Sequence, residues 1–343
     1  MRKLLLLPFI FWACSSQDQV VPDEKVPIVQ PEVIFKRPGN FPDPIYALAN
    51  NPVTVDGFEL GKALFNEPML SRANSIACAE CHNQSYAFTH HGHNVSHGVD
   101  NRIGTRNAPA IQNMAWQKEF FWDGGVGDLD LFSVAPIENP LEMDENLGNV
   151  LTKLRSSSKY PALFNKAFGS TEITSQKFLK ALSQFMVSLV SANSRYDIYT
   201  RKEGVVLTAD EQDGLALFKQ NCSSCHAGEL FSDQSYRNNG LNIQGSKDEG
   251  RFRITENVSD RYKFKVPSLR NVEITAPYMH DGRFFTLEEV LNHYTMGVKQ
   301  TPNIDPLVAN GIKLSPDEQA KIITFLKTLT DREFLTNQKF QGN

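Results

Sequence analysis

Two five-residue segments of the chain, 78–82 and 222–226, follow the pattern Cys-x-x-Cys-His. In this pattern the two thiols form thioethers with the vinyl groups of a haem, and the histidine supplies an iron ligand on the same face. A zinc site would need a further Cys or His pair close to each motif, and the second motif has none nearby. The sequence therefore predicts two covalent haem c groups, held by Cys78, Cys81, His82, Cys222, Cys225 and His226.

The chemistry at each iron depends on its other face. A second fixed ligand favours electron transfer, whereas an open or displaceable face favours catalysis. After the first motif, a glycine-containing loop holds four of the eight histidines of the chain: His90, His91, His93 and His97. They are either solvated loop histidines or a source of an iron ligand or of proton transfer. The second half of the chain offers Met279, Tyr294 and Met296 as ligand candidates.

Length and composition exclude some classes of function. The 343 residues are enough for two domains of roughly 150 residues each. The net charge is -4 and the charges are spread along the chain, so no basic patch is available and nucleic acid is not expected as a partner. Four of the five cysteines lie in the two motifs and the fifth is Cys14, so no disulfide framework is expected.

The N-terminus predicts export. Residues 1–14 combine basic residues, an apolar run too short to span a bilayer, and a small residue before Cys14. Two interpretations remain: a lipoprotein signal that leaves a lipidated Cys14, with Ser15 favouring the outer membrane, or a plain cleaved signal. Both place the protein in the periplasm, with membrane contact expected only through the lipid. Residues 15–44 contain six prolines without apolar periodicity, which predicts an extended tether.

The patterned segments after the tether are typical of helices. Capping boxes begin at Thr208, Thr286 and Ser315, each followed three residues later by a glutamate. The longest amphipathic segment, 176–195, has apolar residues along one face: Phe178, Leu182, Phe185, Met186 and Leu189. Strand signals are sparse. We therefore expect a mostly α-helical fold with long functional loops.

An internal repeat relates the two halves. Gly-Lys-Ala-Leu-Phe (61–65) precedes the first motif, and Gly-Leu-Ala-Leu-Phe (214–218) precedes the second. Each motif is followed by an Arg-Asn pair, at 106–107 and 270–271, and by an aromatic-rich turn that ends in Asp-Gly. This pattern predicts two tandem cytochrome c-like domains, each with one covalent haem c. We assign residues 45–200 to the first and 201–335 to the second.

The chain resembles the bacterial di-haem cytochrome c peroxidases and their MauG-type relatives. Besides the haem motifs, the resemblance rests on Gly-Thr-Arg-Asn-Ala-Pro at 104–109, Phe-Trp-Asp-Gly at 121–124, Leu-Glu-Met at 141–143, Val-Pro-Ser-Leu-Arg-Asn at 266–271 and Tyr-Met-His-Asp-Gly at 278–282. It extends from about residue 60 to 329. It implies that the N-terminal haem reduces hydrogen peroxide, and that the C-terminal haem receives electrons from a small cytochrome c or cupredoxin.

Residue roles follow from the resemblance by position. His82 and His226 would be proximal ligands, and His97 would be the resting-state distal ligand of the peroxidatic haem. This chain has two more residues between His97 and Arg106 than the peroxidases have. Glu142 corresponds to the distal-pocket glutamate that moves a proton between the peroxide oxygens. Trp122 corresponds to the tryptophan between the haems. An interdomain calcium ion is implied at Asn107 and the backbone carbonyls of Thr275 and Pro277.

The distal ligand of the C-terminal haem has two candidates. Counting without gaps from residues 280–282 assigns it to Tyr294, as in MauG-type enzymes, whereas a shift of two residues assigns it to Met296, as in the peroxidases. A tyrosine ligand would stabilise ferric or higher-valent iron, and a methionine would raise the reduction potential.

Three functions follow as hypotheses. The first is a cytochrome c peroxidase, the second a MauG-like oxidase of a protein or organic substrate, and the third a non-catalytic di-haem electron carrier. Members of the family are often dimers, and the resemblance extends that expectation to this chain, although no motif identifies the surface.

Overall fold

A computed structural model of the chain describes residues 33–342. The predicted export signal, with Cys14, and the first part of the predicted tether lie outside the described residues. The predicted mostly α-helical fold is confirmed. Strand structure in residues 33–342 is limited to a short antiparallel pair, β1 (Tyr236–Arg237) and β2 (Phe264–Lys265), and a few isolated bridges. No helix in this part of the chain is both long and apolar enough to cross a membrane.

Twelve α-helices account for most of the regular structure of the described residues. They are α1 (Val55–Phe65), α2 (Cys78–Cys81), α3 (Val134–Glu138), α4 (Leu147–Ser156), α5 (Tyr160–Phe168), α6 (Ser175–Ser188), α7 (Arg195–Thr200), α8 (Ala209–Asn221), α9 (Phe252–Thr255), α10 (Leu287–Asn292), α11 (Pro316–Lys327) and α12 (Arg332–Thr336). A π-helical turn, His293–Gly297, directly follows α10. Short 3-10 turns occur in many of the connecting loops.

The three predicted capping boxes are confirmed at α8, α10 and α11. In each case the N-cap hydroxyl accepts from the backbone N–H of a glutamate, whose carboxylate accepts from the N-cap N–H. Two of the first-turn N–H groups, which have no partner inside the helix, are satisfied in this way.

The segment 176–195 forms a shorter helix than its pattern predicts. Its apolar face is buried as expected, but α6 ends at Ser188. Beyond that point the backbone bonds to Asn113, whose side-chain amide donates to the Ser191 carbonyl oxygen at 3.0 Å and whose Oδ1 accepts from the Ser191 N–H at 2.9 Å. These bonds replace those that a continued helix would make, and a new helix, α7, begins after Ser194.

Two hydrophobic cores correspond to the two halves of the repeat. The first is built around α1, α5 and α6, and the second around α8 and α11. The repeated glycines lie at equivalent crossings: a Cβ on Gly61 would overlap the carbonyl oxygen of Ala181 in α6, and one on Gly214 would overlap that of Lys321 in α11. Both helices that lead into the haem motifs are therefore held at backbone contact distance from a partner helix.

The end of the chain differs from the predicted domain boundary at residue 335. Phe334, Leu335 and Phe340 pack in the first core, although the sequence placed residues up to 335 in the second domain. The turn is fixed by Asp331, which caps α12 through the Phe334 N–H and accepts from the N–H of Asn193 at 2.9 Å. Helix α12 is thereby attached to the N-terminal half.

The described part of the predicted tether, residues 33–44, packs on the body rather than extending away from it. Phe41 is buried in the first core, where its ring lies 4.9 Å from that of Trp116. Asn40 donates to the Asp197 carboxylate at 2.8 Å. Proline content alone predicted an extended chain and did not reveal these anchoring residues.

Candidate functional site

The first Cys-x-x-Cys-His motif forms one helical turn, α2, and directs His82 inwards. The His82 N–H bonds to the Cys78 carbonyl oxygen at 3.0 Å, and the ring atom Nδ1 lies 2.8 Å from the carbonyl oxygen of Phe88. A carbonyl can only accept, so Nδ1 carries the proton and Nε2 keeps its lone pair. Burial lowers the pKa of His82 to about 4, which keeps the ring neutral and able to bind a metal.

The second motif repeats this arrangement at the end of α8. The His226 N–H bonds to the Cys222 carbonyl oxygen at 2.9 Å, and Nδ1 lies 3.0 Å from the carbonyl oxygen of Phe231. Burial lowers the pKa of His226 as well. In both halves a phenylalanine carbonyl therefore fixes the same tautomer of the motif histidine.

A cavity of about 560 Å³ lies beside the second motif. Its wall includes Cys222, Cys225, His226 and Tyr294, so the two thiols and a histidine face the same space as a half-buried phenol. A volume in this range is typical of a cofactor-sized ligand. The fit to a covalent haem rests on this combination of cavity, thiols and free Nε2.

The residues around the two motifs also favour haem over a zinc ion. No group of three or more His, Cys, Asp or Glu within residues 33–342 is arranged to hold a metal ion. The extra ligands that the zinc interpretation would require are missing from this part of the chain.

The two candidates for the distal ligand of the C-terminal haem have opposite environments. Tyr294 lines the cavity, burial raises its pKa, and Asn239 Nδ2 lies 3.4 Å from its hydroxyl. The side chain of Met296 is 78% exposed and does not line the cavity. The π-helical turn that contains both residues directs one inwards and the other to solvent. Met279 lies on the wall, with its sulfur 3.4 Å from Asn239 Nδ2.

The structure brings Glu142 and the loop that carries His97 together beside the first motif. The carboxylate of Glu142 accepts from Asn139 Nδ2 at 2.7 Å, and burial raises its pKa. Burial is the main cause that raises the pKa of the Cys81 thiol, and the charge of Glu142 adds to it. Val99 donates its N–H to the Glu142 carbonyl oxygen at 2.8 Å. His97 itself is exposed, with Nδ1 3.0 Å from Asn101 Oδ1.

The four loop histidines differ in environment. His91 and His93 are exposed, as His97 is, whereas His90 is 3% exposed and neither of its ring nitrogens has a hydrogen-bond partner among the described residues. The rings of His90 and His93 stack at 4.6 Å, and His93 lies 4.6 Å from His97. The histidine loop is therefore a connected column of rings that leads from the surface to a buried end.

Trp122 lies at the contact between the two halves. Its indole N–H donates to the Asn107 carbonyl oxygen at 2.8 Å, and its own carbonyl oxygen accepts from the Lys265 N–H at 2.7 Å. It lines the wall of the cavity together with Phe264 and His280, whose rings stack at 3.6 Å. An aromatic group therefore connects the segment after the first haem motif to the cavity of the second.

The residues predicted to hold calcium also meet at this contact. The side-chain amide of Asn107 lies 3.0 Å from the Pro277 carbonyl oxygen, and Asn107, Thr275 and Pro277 all line the same cavity. The backbone N–H of Asn107 donates to the His280 carbonyl oxygen at 2.8 Å.

The two Arg-Asn pairs of the repeat join the halves reciprocally. Arg106 reaches from the first half to Asp248 of the second, with N–O distances of 2.6 and 2.7 Å. Arg270 reaches in the opposite direction and forms two bonds of 2.8 Å to Asp197 of α7. Asn271 donates to the Ser191 hydroxyl at 3.0 Å. The repeat that the sequence revealed therefore supplies both sides of the interdomain contact.

Known proteins share this arrangement. Residues 55–204 match the family described as di-haem cytochrome c peroxidase, and residues 211–330 match cytochrome c. The methylamine utilization protein MauG of Methylorubrum extorquens is 35% identical over 304 residues, which cover 86% of this chain and 83% of that protein. The chain belongs to the di-haem cytochrome c peroxidase and MauG family. It is an oxidoreductase with two haem c groups.

Two further members of this di-haem family extend the comparison. The cytochrome c551 peroxidase of Nitrosomonas europaea is 36% identical over 288 residues, or 82% of each chain. A crystal structure of a MauG-like protein associated with microbial copper homeostasis has a TM-score of 0.82 and 32% identity, and covers 90% of this chain and 99% of that one. Because these family members include enzymes named as peroxidases, the non-catalytic carrier hypothesis loses its support.

Sequence reasoning missed two residues of the cavity wall beside the second motif. Lys265 was overlooked because it is a lone charge in the run Phe264-Lys265-Val266, which is a weak signal. Asn239 was overlooked because an asparagine before Gly240 predicts a turn as readily as a site. The internal repeat offered a clue, since Asn239-Gly240 in the second half resembles His97-Gly98 in the first.

The reciprocal contact generates a stability prediction. Arg270→Met should lower the free energy of unfolding by about 3–5 kcal/mol, because it leaves the Asp197 carboxylate buried without its cation. The matched control is Lys321→Met, which removes solvent-accessible pairs with Asp213 and Asp317 and should cost less than about 1 kcal/mol. Urea unfolding of the holoprotein measures both. An equal decrease in the free energy of unfolding for the two variants would contradict the assigned role of Arg270.

Proposed function

We propose that the chain is a di-haem cytochrome c peroxidase that reduces hydrogen peroxide to water with electrons from a small cytochrome c or cupredoxin. The reaction consumes one peroxide, two electrons and two protons and yields two waters. The observation that carries the proposal lies beside the first motif. There the half-buried carboxylate of Glu142, held by Asn139, lies next to an exposed histidine loop.

When bound, the haems supply the iron that takes up peroxide at the first motif and the electron-accepting centre at the second. The chain provides the proton chemistry. Glu142 lies near the Cys81 thiol, and its raised pKa suits a group that must both accept and return a proton. Asn139 donates to one carboxylate oxygen and leaves the other free for substrate.

His97 and Trp122 receive the roles that their positions support. His97 lies on an exposed loop, so a displaceable ligand at this position could leave without disrupting the core. Trp122 lies between the two halves, where an aromatic ring is suited to carry electrons from the second haem towards the first. His82 and His226, with Nε2 free, are the proposed proximal ligands.

The test of the peroxidase proposal uses Glu142→Gln. Mixing half-reduced protein with peroxide in a stopped-flow instrument, in the presence of a reduced small cytochrome, should show oxidation of the donor in the unmodified protein. In the variant this rate should fall about 10²–10⁴-fold, because a positioned general acid and base is lost. Glu138→Gln, four residues earlier and exposed, should leave the rate unchanged. The proposal fails if no donor is oxidised by the unmodified protein, or if Glu142→Gln reacts at the same rate.

A MauG-like oxidase is the second candidate, and one observation favours it. Tyr294 rather than Met296 faces the cavity, and we propose Tyr294 as the distal ligand of the C-terminal haem. Such a ligand would stabilise ferric or higher-valent iron, which suits oxidation of a protein or organic substrate. The chain has relatives named as peroxidases and relatives named MauG. Assays with peroxide and a reduced cytochrome, and with a protein or organic substrate, distinguish the two activities.

Ligand variants test the assignment of Tyr294. Tyr294→Phe should change the near-infrared and EPR spectra of the C-terminal haem and raise its reduction potential, because an anionic oxygen ligand is removed. Met296→Leu should leave both spectra unchanged, because this side chain lies in solvent. If the near-infrared ligand band of the C-terminal haem disappears in Met296→Leu and not in Tyr294→Phe, the distal ligand is Met296 and the assignment of Tyr294 is wrong.

A calcium ion between the halves is part of the proposal. Asn107 Oδ1 and the carbonyl oxygens of Thr275 and Pro277 are hard oxygen donors, and the three residues line one cavity, where the Pro277 carbonyl oxygen accepts from Asn107 Nδ2 at 3.0 Å. Chelation followed by calcium titration should change the spin state of the first haem and then restore it. A spectrum unaffected by chelation would remove calcium from the proposal.

We place the protein in the periplasm, with a lipid on Cys14 as its only membrane attachment and the outer membrane favoured. The support is the layout of residues 1–14. The mass of the mature N-terminal peptide distinguishes a lipidated Cys14 from a plain cleaved signal.

A further inference from the structure

Lys265 is a cation in the wall of the second cavity that lacks an anionic partner. It lies in β2, and its ammonium donates to Gln117 Oε1 at 2.7 Å and to the Glu119 carbonyl oxygen at 2.6 Å. Both acceptors are neutral. No carboxylate of residues 33–342 lies within 4.0 Å of the ammonium. A lysine has three N–H donors, so one of them remains available.

The other cations of the wall differ from Lys265. Arg237 bonds to the carboxylates of Asp233 and Asp305, each at 2.8 Å. Arg270 bonds to Asp197, as described above. Lys313 is exposed and therefore solvated. Lys265 is half-buried, and a cation withdrawn from water is costly unless an anion accompanies it; desolvation lowers the pKa of Lys265 to about 8. Lys265 is thus suited to an anion that the protein itself does not provide.

The position of Lys265 indicates which part of a haem it faces. The ionised groups of haem c are its two propionates, which project from the edge opposite the thioether-bonded positions. The charged cluster beside the thioether motif is that of Arg237, Asp233 and Asp305, because Asp233 donates its backbone N–H to the Cys225 carbonyl oxygen at 2.8 Å. The Lys265 ammonium bonds instead to residues 117 and 119, in the segment of the first half that leads to Trp122. Lys265 therefore lies in the part of the wall formed with the first half and not in the cluster beside the thioether motif.

We propose that Lys265 binds a propionate of the C-terminal haem and ties it to the segment 117–122 of the N-terminal half. The proposal rests on the two covalent haems and not on the peroxide chemistry, so it can fail or succeed independently of the proposed function. Lys265 is a positioning residue. Its ammonium holds the propionate, its remaining N–H bonds hold residues 117 and 119, and its backbone N–H holds the Trp122 carbonyl oxygen.

A cation at this place affects the reduction equilibrium of the haem. Reduction adds one negative charge to the haem, and a nearby ammonium stabilises the reduced form. Loss of the ammonium should therefore lower the potential of the C-terminal haem. The potential of the N-terminal haem should not change, because Lys265 lines the cavity of the second motif.

Spectroelectrochemical titration of the holoprotein tests the proposal. Lys265→Gln should shift the reduction equilibrium of the C-terminal haem about tenfold towards the oxidised form, which corresponds to about 59 mV for one electron. The resonance Raman propionate-bending bands should shift as well. Lys265→Arg keeps the charge and should retain most of the native potential. Lys263→Gln is the matched control, because Lys263 lies two residues away and bonds to Asp260.

Each outcome decides the question. A lowered potential of the C-terminal haem alone, recovered in Lys265→Arg, supports the propionate contact. Loss of the C-terminal haem from Lys265→Gln, with the N-terminal haem retained and Lys265→Arg fully loaded, also supports it. Unchanged potential and Raman bands in Lys265→Gln would overturn it. So would an equal shift of both haems, or the same shift in Lys263→Gln.

Discussion

The buried ion pair between Arg270 and Asp197 is the constraint on which the arrangement of the two halves depends. The side chains are 1% and 0% exposed, and the two bonds between them are both 2.8 Å. Ions removed from water are tolerated only when every donor finds an acceptor, and Arg270 also bonds to the carbonyl oxygens of Glu229 and Ser191. These bonds can all form only when the loop that carries Arg270 and the segment that carries Asp197 are in one relative position. They therefore fix the loop after the second haem motif against the first half and with it the wall of the cavity.

The helices and the repeat could be predicted because their causes are local. A capping box needs only residues three apart, and the Arg-Asn pairs and the glycines before each motif are visible as repeated letters. Partners far apart in the chain could not be predicted in this way. Asp197 and Arg270 are 73 positions apart, and the partners of Lys265 are 148 and 146 positions away. The sequence identified the positions that carry charge but not the cavity in which one of them lacks an anion.

The ambiguity between Tyr294 and Met296 has a similar physical origin. Counting along the chain assumes one helical geometry, and these residues lie in a π-helical turn after α10. The wider turn changes the directions of successive side chains relative to an α-helix, so a shift of two residues in an alignment does not report which side chain faces inwards. Burial separates them, because a phenol with a polar neighbour suits the cavity wall and the thioether is left in solvent.

A glycine supports the distal side in each half. Gly98 packs against the carbonyl oxygens of residues 141 and 142, and Gly240 packs against residues 298 and 299, so each glycine contacts the segment that carries or follows the distal candidate of its half. The two glycines differ in backbone conformation, with a φ of −98° at Gly98 and +70° at Gly240. The residues before them also differ: His97 is exposed, whereas Asn239 contacts Tyr294. The first half therefore has an adaptable distal side and the second a fixed one.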